Sequence, residues 1–247
     1  MAKWWNWESK FALGLVVAFV VLNVAHYACF RDLQHIWLWN FTSLAFLPLS
    51  VLVLTLVVDR MLVARERAQR LEKLNMLLGV FFSQAGVHLL RVFAGCDPDL
   101  AALQERFCGL EVWNHPRHDV KRKLEAHAYA VVLKPADVAT LKTFLADKTE
   151  CLLRIMENPS LLEHERFTEL LRAVFHLAEE LAYRGDVMAL PGSDMAHLAG
   201  DAKRAYALLV REWVAYMFYL KVAYPYLFSL AARMNPLNPD ASPVVRA

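Results

Sequence analysis

Two uncharged runs decide the fold: FALGLVVAFVVLNVAHYACF, from Phe11 to Phe30, and IWLWNFTSLAFLPLSVLVLTLVV, from Ile36 to Val58. They count 20 and 23 residues, and at about 1.5 Å per residue each makes a helix long enough to cross roughly 30 Å of bilayer hydrocarbon. Pro48 interrupts the second run, which a membrane helix tolerates better than a soluble one. The link Arg31-Asp32-Leu33-Gln34-His35 is short enough to force an antiparallel hairpin. Trp4, Trp5 and Trp7 precede the first run and Trp37 and Trp39 open the second, where amphipathic rings prefer headgroup depth.

Positive charge near the helix ends sets the orientation. Lys3 and Lys10 precede the first span, and Arg60, Arg65, Arg67, Arg70 and Lys73 follow the second, against Arg31 alone in the link. The expectation is a multi-pass protein of the plasma (inner) membrane with both termini cytoplasmic and the lipid bilayer as its first partner. A cleaved signal peptide fits less well, because His26-Tyr27-Ala28-Cys29 lacks the small-residue pattern of a processing site. Asn23 and His26, three apart on one helix face, are positioned to bond across to Asn40, Thr42 or Ser43, which glues a hairpin, or to line a polar path.

Outward from the hairpin the composition changes. Only Lys3, Glu8, Lys10, Arg31 and Asp32 are charged before Asp59, whereas the remainder carries 24 Lys and Arg against 23 Asp and Glu. That near-balance gives no basic stripe for DNA or RNA, so nucleic acid is excluded as a partner. Cys29, Cys96, Cys108 and Cys151 show no CxxC pair and read as reduced thiols.

From Asp59 to Gly95 no helix breaker intervenes, so residues 59–95 are predicted as a stem helix continuing the second span. Leu71, Leu74, Leu78, Phe81, Ala85, His88 and Val92 step by three and four, a seam able to pair two stems into a homo-oligomer. Leu77, Phe82 and Leu89 widen that stripe, as in a helix buried in its own domain. Residues 96–234 are predicted as a cytoplasmic helical bundle. Its helices start at Asp97-Pro98 and run to about Leu110, then over Pro116 to Leu133 and Ala136 to Met156; the capping box Ser160-Leu161-Leu162-Glu163 opens the next, which Gly185 stops. A final aromatic helix runs from Ser193 or Asp194 to about Met234, bent at Pro225, and the stretch Tyr206–Met234 packs either in the bundle or against the membrane. Residues 235–247, with three prolines, are predicted as a flexible tail. The fold class is all-α: a 1–58 transmembrane hairpin with spans about 11–30 and 36–58, a stem, and a bundle.

No chemistry-bearing motif fits its required spacing. Cys96, Cys108, His115 and His118 are zinc-ligand types without a finger or ribbon pattern. His118-Asp119, with His88 upstream and Asp186 later, follows the ligand order of helical HD phosphohydrolases, but Val120-Lys121-Arg122 departs from the apolar continuation of that family. Whether His88, His118 and Asp119 converge is open at this level. His164-Glu165, His176, Glu179 and Glu180 lie on one predicted helix, where His176 and Glu180, four apart, either ligate a metal or bond at the surface, and the surface reading is preferred. There is no G-x-S-x-G, H-E-x-x-H or phosphate-cradling glycine loop. No catalytic, cofactor-binding or metal residue is assigned and no cofactor is expected.

Three stretches, LEKLNMLLGVFFSQAG (Leu71 to Gly86), NPSLLEHERFTELLRAVFHLAEEL (Asn158 to Leu181) and YPYLFSLAARMNP (Tyr224 to Pro236), resemble an uncharacterised family of prokaryotic two-span membrane proteins with a helical cytoplasmic domain. The resemblance implies the layout and no activity. The function predicted from sequence is a non-enzymatic, membrane-anchored helical interaction or signalling module that self-associates through the stem or binds a protein partner. The alternatives are a small oligomeric channel or transport component, and a metal-dependent hydrolase of the helical HD type.

Overall fold

The computed structural model describes residues 7–107, 110–159, 161 and 164–245, and it is helical with no strand among them. The helices are α1 (Trp7–Phe30), α2 (Leu33–Phe81), α3 (Val87–Gly95), α4 (Leu100–Phe107), α5 (Arg117–Glu125), α6 (Pro135–Met156), α7 (Glu165–Tyr183), α8 (Gly192–Ala223) and α9 (Pro225–Arg233). The chain divides into two units, Met1–Arg67 and Ala68–Ala247.

In the first unit, Lys10–Cys29 and the stretch beginning at Leu33 are helices long and apolar enough to cross a membrane. Large side chains such as Leu22, Phe41 and Leu54 stand exposed along them. The turn is tighter than the five-residue link read from sequence. Arg31 takes the left-handed conformation at φ 49°, and the Asp32 carboxylate accepts from the His35 N–H, so α2 starts at Leu33. Asn40 Nδ2 donates to Asn23 Oδ1 at 2.8 Å, the hairpin-gluing contact foreseen for these residues. The His26 and His35 rings lie edge to face 5.9 Å apart. Lys3, Trp4 and Trp5 fall outside the described residues.

The second unit is built around α7, whose buried face of Phe167, Leu170, Leu171, Val174 and Leu177 packs against α6 and α8. Helix α3 and α5 pack on α8, which turns into α9. Tyr206, Trp213 and Met217 are buried, so the α8 part of the aromatic stretch closes the bundle core, whereas Val222, Tyr226 and Leu230 stay exposed.

Four local expectations are corrected. The stem is not one regular helix: Phe82–Gly86 forms a π-helical turn. That wider turn lets the adjacent Phe81 and Phe82, and then Ala85 and Gly86, all face the core. A Cβ on Gly86 would stand 2.4 Å from Phe82 Cδ1, so only glycine fits. The helix after Pro116 stops at Glu125 instead of Leu133, because the chain extends through 127–134 to bury His127 and Val131 and to bond Val132 N–H to the Cys96 carbonyl at 2.8 Å. Pro225 breaks the last helix rather than bending it. Tyr224, before the proline, is held at φ −140°, ψ 71°, outside helical space. The tail is anchored at its start: Asn235 Nδ2 donates to the Phe107 carbonyl at 2.7 Å, its Oδ1 accepts from Leu237 N–H, and Leu237 is buried. The capping box at Ser160 to Glu163 lies, Leu161 apart, outside the described residues. Helix α7 is instead capped by His164, whose Nδ1 accepts from the Phe167 N–H at 3.3 Å.

Candidate functional site

A cavity of about 890 Å³ in the second unit is a groove between the Ala68–Leu78 stretch of α2 and the end of α8. Leu71, Leu74 and Leu78 supply an apolar wall, and Tyr216, Tyr219 and Tyr224 an aromatic one. The helices approach closely here because residue 79 is glycine: a Cβ there would stand 2.8 Å from the Tyr216 hydroxyl. Five groups able to carry charge, Glu72, Arg117, His164, Arg166 and Glu212, line the same groove. An apolar cleft with a few converging polar groups is the usual form of a binding site.

Glu212 is the unusual member. Its side chain is 2 % exposed, its Oε1 has no hydrogen-bond partner, and Arg166 Nε stands 3.9 Å away, beyond hydrogen-bond reach. Burial pushes its carboxyl above the ordinary range, opposed by the nearby Arg166, Arg211 and Arg117. The folded chain therefore holds the Glu212 proton more tightly than the unfolded chain. The favourable contribution is present below the ordinary carboxyl range and is lost as pH rises through the raised value. Glu212→Gln should therefore stabilise the protein near neutral pH, because the amide carries no charge for burial to penalise. The gain should vanish near about pH 4, where both side chains are neutral. Thermal unfolding of both proteins across that range checks this, and equal or lower stability of the variant at neutral pH would refute it.

His164, which caps α7, also faces this groove. Burial, then Arg166, lowers its pKa, which keeps the ring neutral and its Nδ1 free to accept.

A second polar group is sealed in the core. Asp97 and His127, with side chains 0 % and 2 % exposed, face each other at 3.6 Å between Oδ2 and Nε2, and neither atom has a hydrogen-bond partner. The buried Tyr206 hydroxyl lies beside them, its pKa raised by burial and then by Asp97. The His127 ring meets Tyr129 edge to face at 4.8 Å, and Tyr129 meets Tyr206 at 5.4 Å. Sequence reading missed both Glu212 and this trio, since nothing in the spacing of Asp97, His127 and Tyr206 marks them as neighbours.

The residues weighed as ligands from sequence are scattered or regrouped. His88 lies 4.0 Å from the Phe144 ring, its pKa lowered by burial, then Arg91 and Lys148. His118 is 80 % exposed, and its Nε2 lies 3.4 Å from the carboxylate of its neighbour Asp119. Burial and the nearby Asp137 raise the half-buried Cys96 thiol to about 11, which keeps it protonated at neutral pH, and Cys108 lies outside the described residues. Among the described residues, no three His, Cys, Asp or Glu side chains are already gathered tightly enough to hold a metal. His176 and Glu180, however, are joined by His197 and Asp201 from α8, neither of which the sequence reading singled out.

Comparison with known proteins divides the chain near the same place as the structure does. The model of the MJ1433 N-terminal helical domain matches residues 2–62, and that of the C-terminal helical domain of uncharacterized protein MJ1433 matches residues 70–233. Uncharacterized protein MJ1433 of Methanocaldococcus jannaschii is 39% identical over 236 residues, covering 94% of this chain and 95% of its own length. No solved structure matches the chain.

Proposed function

This chain belongs to the MJ1433 family, and we propose that it is a membrane-anchored helical interaction module whose second unit binds another copy of the same chain. In this reading α1 and the first part of α2 form a hairpin in the plasma membrane, with both termini and the bundle on the cytoplasmic side. Support for the anchor comes from the exposed apolar side chains along both helices, which lipid would cover. The Asn23–Asn40 bond supports adhesion of the hairpin over conduction through it, because each amide has a partner.

The observation that carries the binding role is the apolar surface left on α2. Leu74, Leu78, Phe81 and Ala85 of the predicted seam are used up in the core of their own unit, whereas Met76 and Val80 stay exposed. They share a second cleft, about 350 Å³, with Leu227 of α9, and that cleft shares Asn75 and three tyrosines with the larger groove. Two clefts thus flank one exposed helical stripe. Tyrosine and arginine are enriched at protein interfaces. Both signs of charge line the larger groove, Arg117 and Arg166 with Glu72, which suits a self-complementary contact between two identical surfaces.

The test is cross-linking of the full-length chain in native membranes. A dimer band is expected, and the double variant Met76→Asp, Val80→Asp should abolish it while leaving membrane insertion intact. Monomer alone in the wild type, or a dimer indifferent to the double variant, would overturn the self-association reading. Recovery of the chain in a carbonate-washed soluble fraction would overturn the membrane anchor.

A further inference from the structure

His176 and Glu180 stand one turn apart on α7, and His197 and Asp201 one turn apart on α8, the helix packed against it. Four distances link the nitrogens and oxygens of these side chains into a ring. Asp201 Oδ2 lies 3.6 Å from His176 Nε2 and 3.4 Å from His197 Nε2. Glu180 Oε2 lies 3.5 Å from His197 Nε2, and Glu180 Oε1 lies 4.0 Å from His176 Nε2. From this we infer that His176, Glu180, His197 and Asp201 form a binding site for one divalent transition-metal ion of the zinc class.

Asp201 is the observation that distinguishes this ring from a solvated charge cluster. Its side chain is only 6 % exposed, and Oδ2, with two imidazole nitrogens on either side, has no hydrogen-bond partner. A buried carboxylate oxygen that lacks a hydrogen bond and sits between two imidazole nitrogens is placed to share one metal ion with them. Two imidazoles and two carboxylates are also the ligand types that zinc accepts in a four-coordinate site.

The supporting residues fit the same reading. Arg204 Nη1 is 3.5 Å from Asp201 Oδ1, the oxygen turned away from the ring, so Oδ2 stays available. Arg184 bonds Glu180 Oε2 at 2.7 Å and grips both oxygens of Asp194, each at 2.7 Å, which fixes where the Glu180 carboxylate points. Such outer partners orient the ligands of protein metal sites.

The ring is open as it stands. Metal–ligand bonds of about 2.0–2.1 Å in a tetrahedron need donors roughly 3.3–3.4 Å apart, and the widest edge here is 4.0 Å. Closing it takes a rotation of His176 and His197, which are 46 % and 52 % exposed and have room to turn.

The experiment uses the full-length chain in detergent, stripped with chelator and then titrated with Zn²⁺ by calorimetry. The expected result is one Zn²⁺ per chain, bound at micromolar strength or tighter, and a visible tetrahedral spectrum when Co²⁺ is added instead. His176→Ala and His197→Ala should each weaken Zn²⁺ binding at least tenfold, whereas Glu179→Ala, beside the ring on the same helix, should leave it unchanged. Both histidines are half-exposed, and unaltered helical circular dichroism of the metal-free variants confirms that they fold. No saturable Zn²⁺ binding by the wild type, or wild-type affinity in the two histidine variants, overturns the proposal. Neither outcome depends on whether the chain self-associates.

Discussion

Phe81→Ala should destabilise the 68–247 unit by about 3–5 kcal/mol, the usual loss for truncating a buried aromatic ring. Phe81 is fully buried where α2 meets the π-helical turn, with its ring 5.3 Å from Phe82 and 5.6 Å from Phe167. Phe82 continues the cluster to Trp213 at 5.2 Å and to Tyr216 at 5.6 Å. Removing the first ring therefore opens a cavity bounded by α2, α7 and the π-helical turn, whose rings cannot all shift to fill it. Urea unfolding of the full-length chain, followed by tryptophan fluorescence, measures the loss directly because Trp213 adjoins the cluster. The exposed Val132 serves as a control, and Val132→Ala should change stability by less than about 0.5 kcal/mol. A loss below about 1 kcal/mol for Phe81→Ala would mean that the aromatic cluster does not hold these elements together.

The second large effect lies at Asp97. Asp97→Ala should cost about 3–5 kcal/mol, because it leaves the buried His127 Nε2 with no carboxylate beside it and also removes the acceptor that holds the Asp99 N–H at 2.9 Å. His127→Ala should also destabilise, because it leaves the buried Asp97 Oδ2 facing the space the ring filled, while Oδ1 keeps the Asp99 N–H. The double variant is the sharper measurement. Once one member is gone, loss of the other removes an unpaired polar group, so the two losses should fall short of additivity by at least about 1 kcal/mol. Strict additivity would show that the 3.6 Å contact between them carries no coupling.

The parts legible from sequence were those governed by long-period patterns. Twenty uncharged residues in a row leave little choice but a helix, and the i, i+3, i+4 spacing of Phe167, Leu170, Leu171 and Val174 reproduces the buried face of α7. Less legible was everything decided by tertiary fit. Residues 126–134 carry no proline until Pro135 and so read as helix, but burial of His127 against Asp97 outweighs the local preference. Asn235 looked like part of a proline-rich tail, although its amide reaches the Phe107 carbonyl, 128 residues away in sequence. The polar sites were the least legible of all. Glu212 sits in an ordinary amphipathic pattern, and its isolation arises from the packing of α8 against its neighbours, information held in no single segment. Half of the His176 ring was visible, since residues four apart on one helix share a face. The other half required knowing that α8 turns the face of His197 and Asp201 toward it.

The π-helical turn of Phe82–Gly86 also fixes a rotational offset. An α-helix advances about 100° per residue, so one surplus residue in this turn sets the azimuth of Leu74 and Leu78 relative to that of Leu89 and Leu90. Deleting a single position between Phe82 and Gly86 would swing one pair out of its socket while the other stayed seated. The segment thus acts as a spline with one permitted engagement, and the helical rise on either side is locked in step by five residues that carry no charge at all.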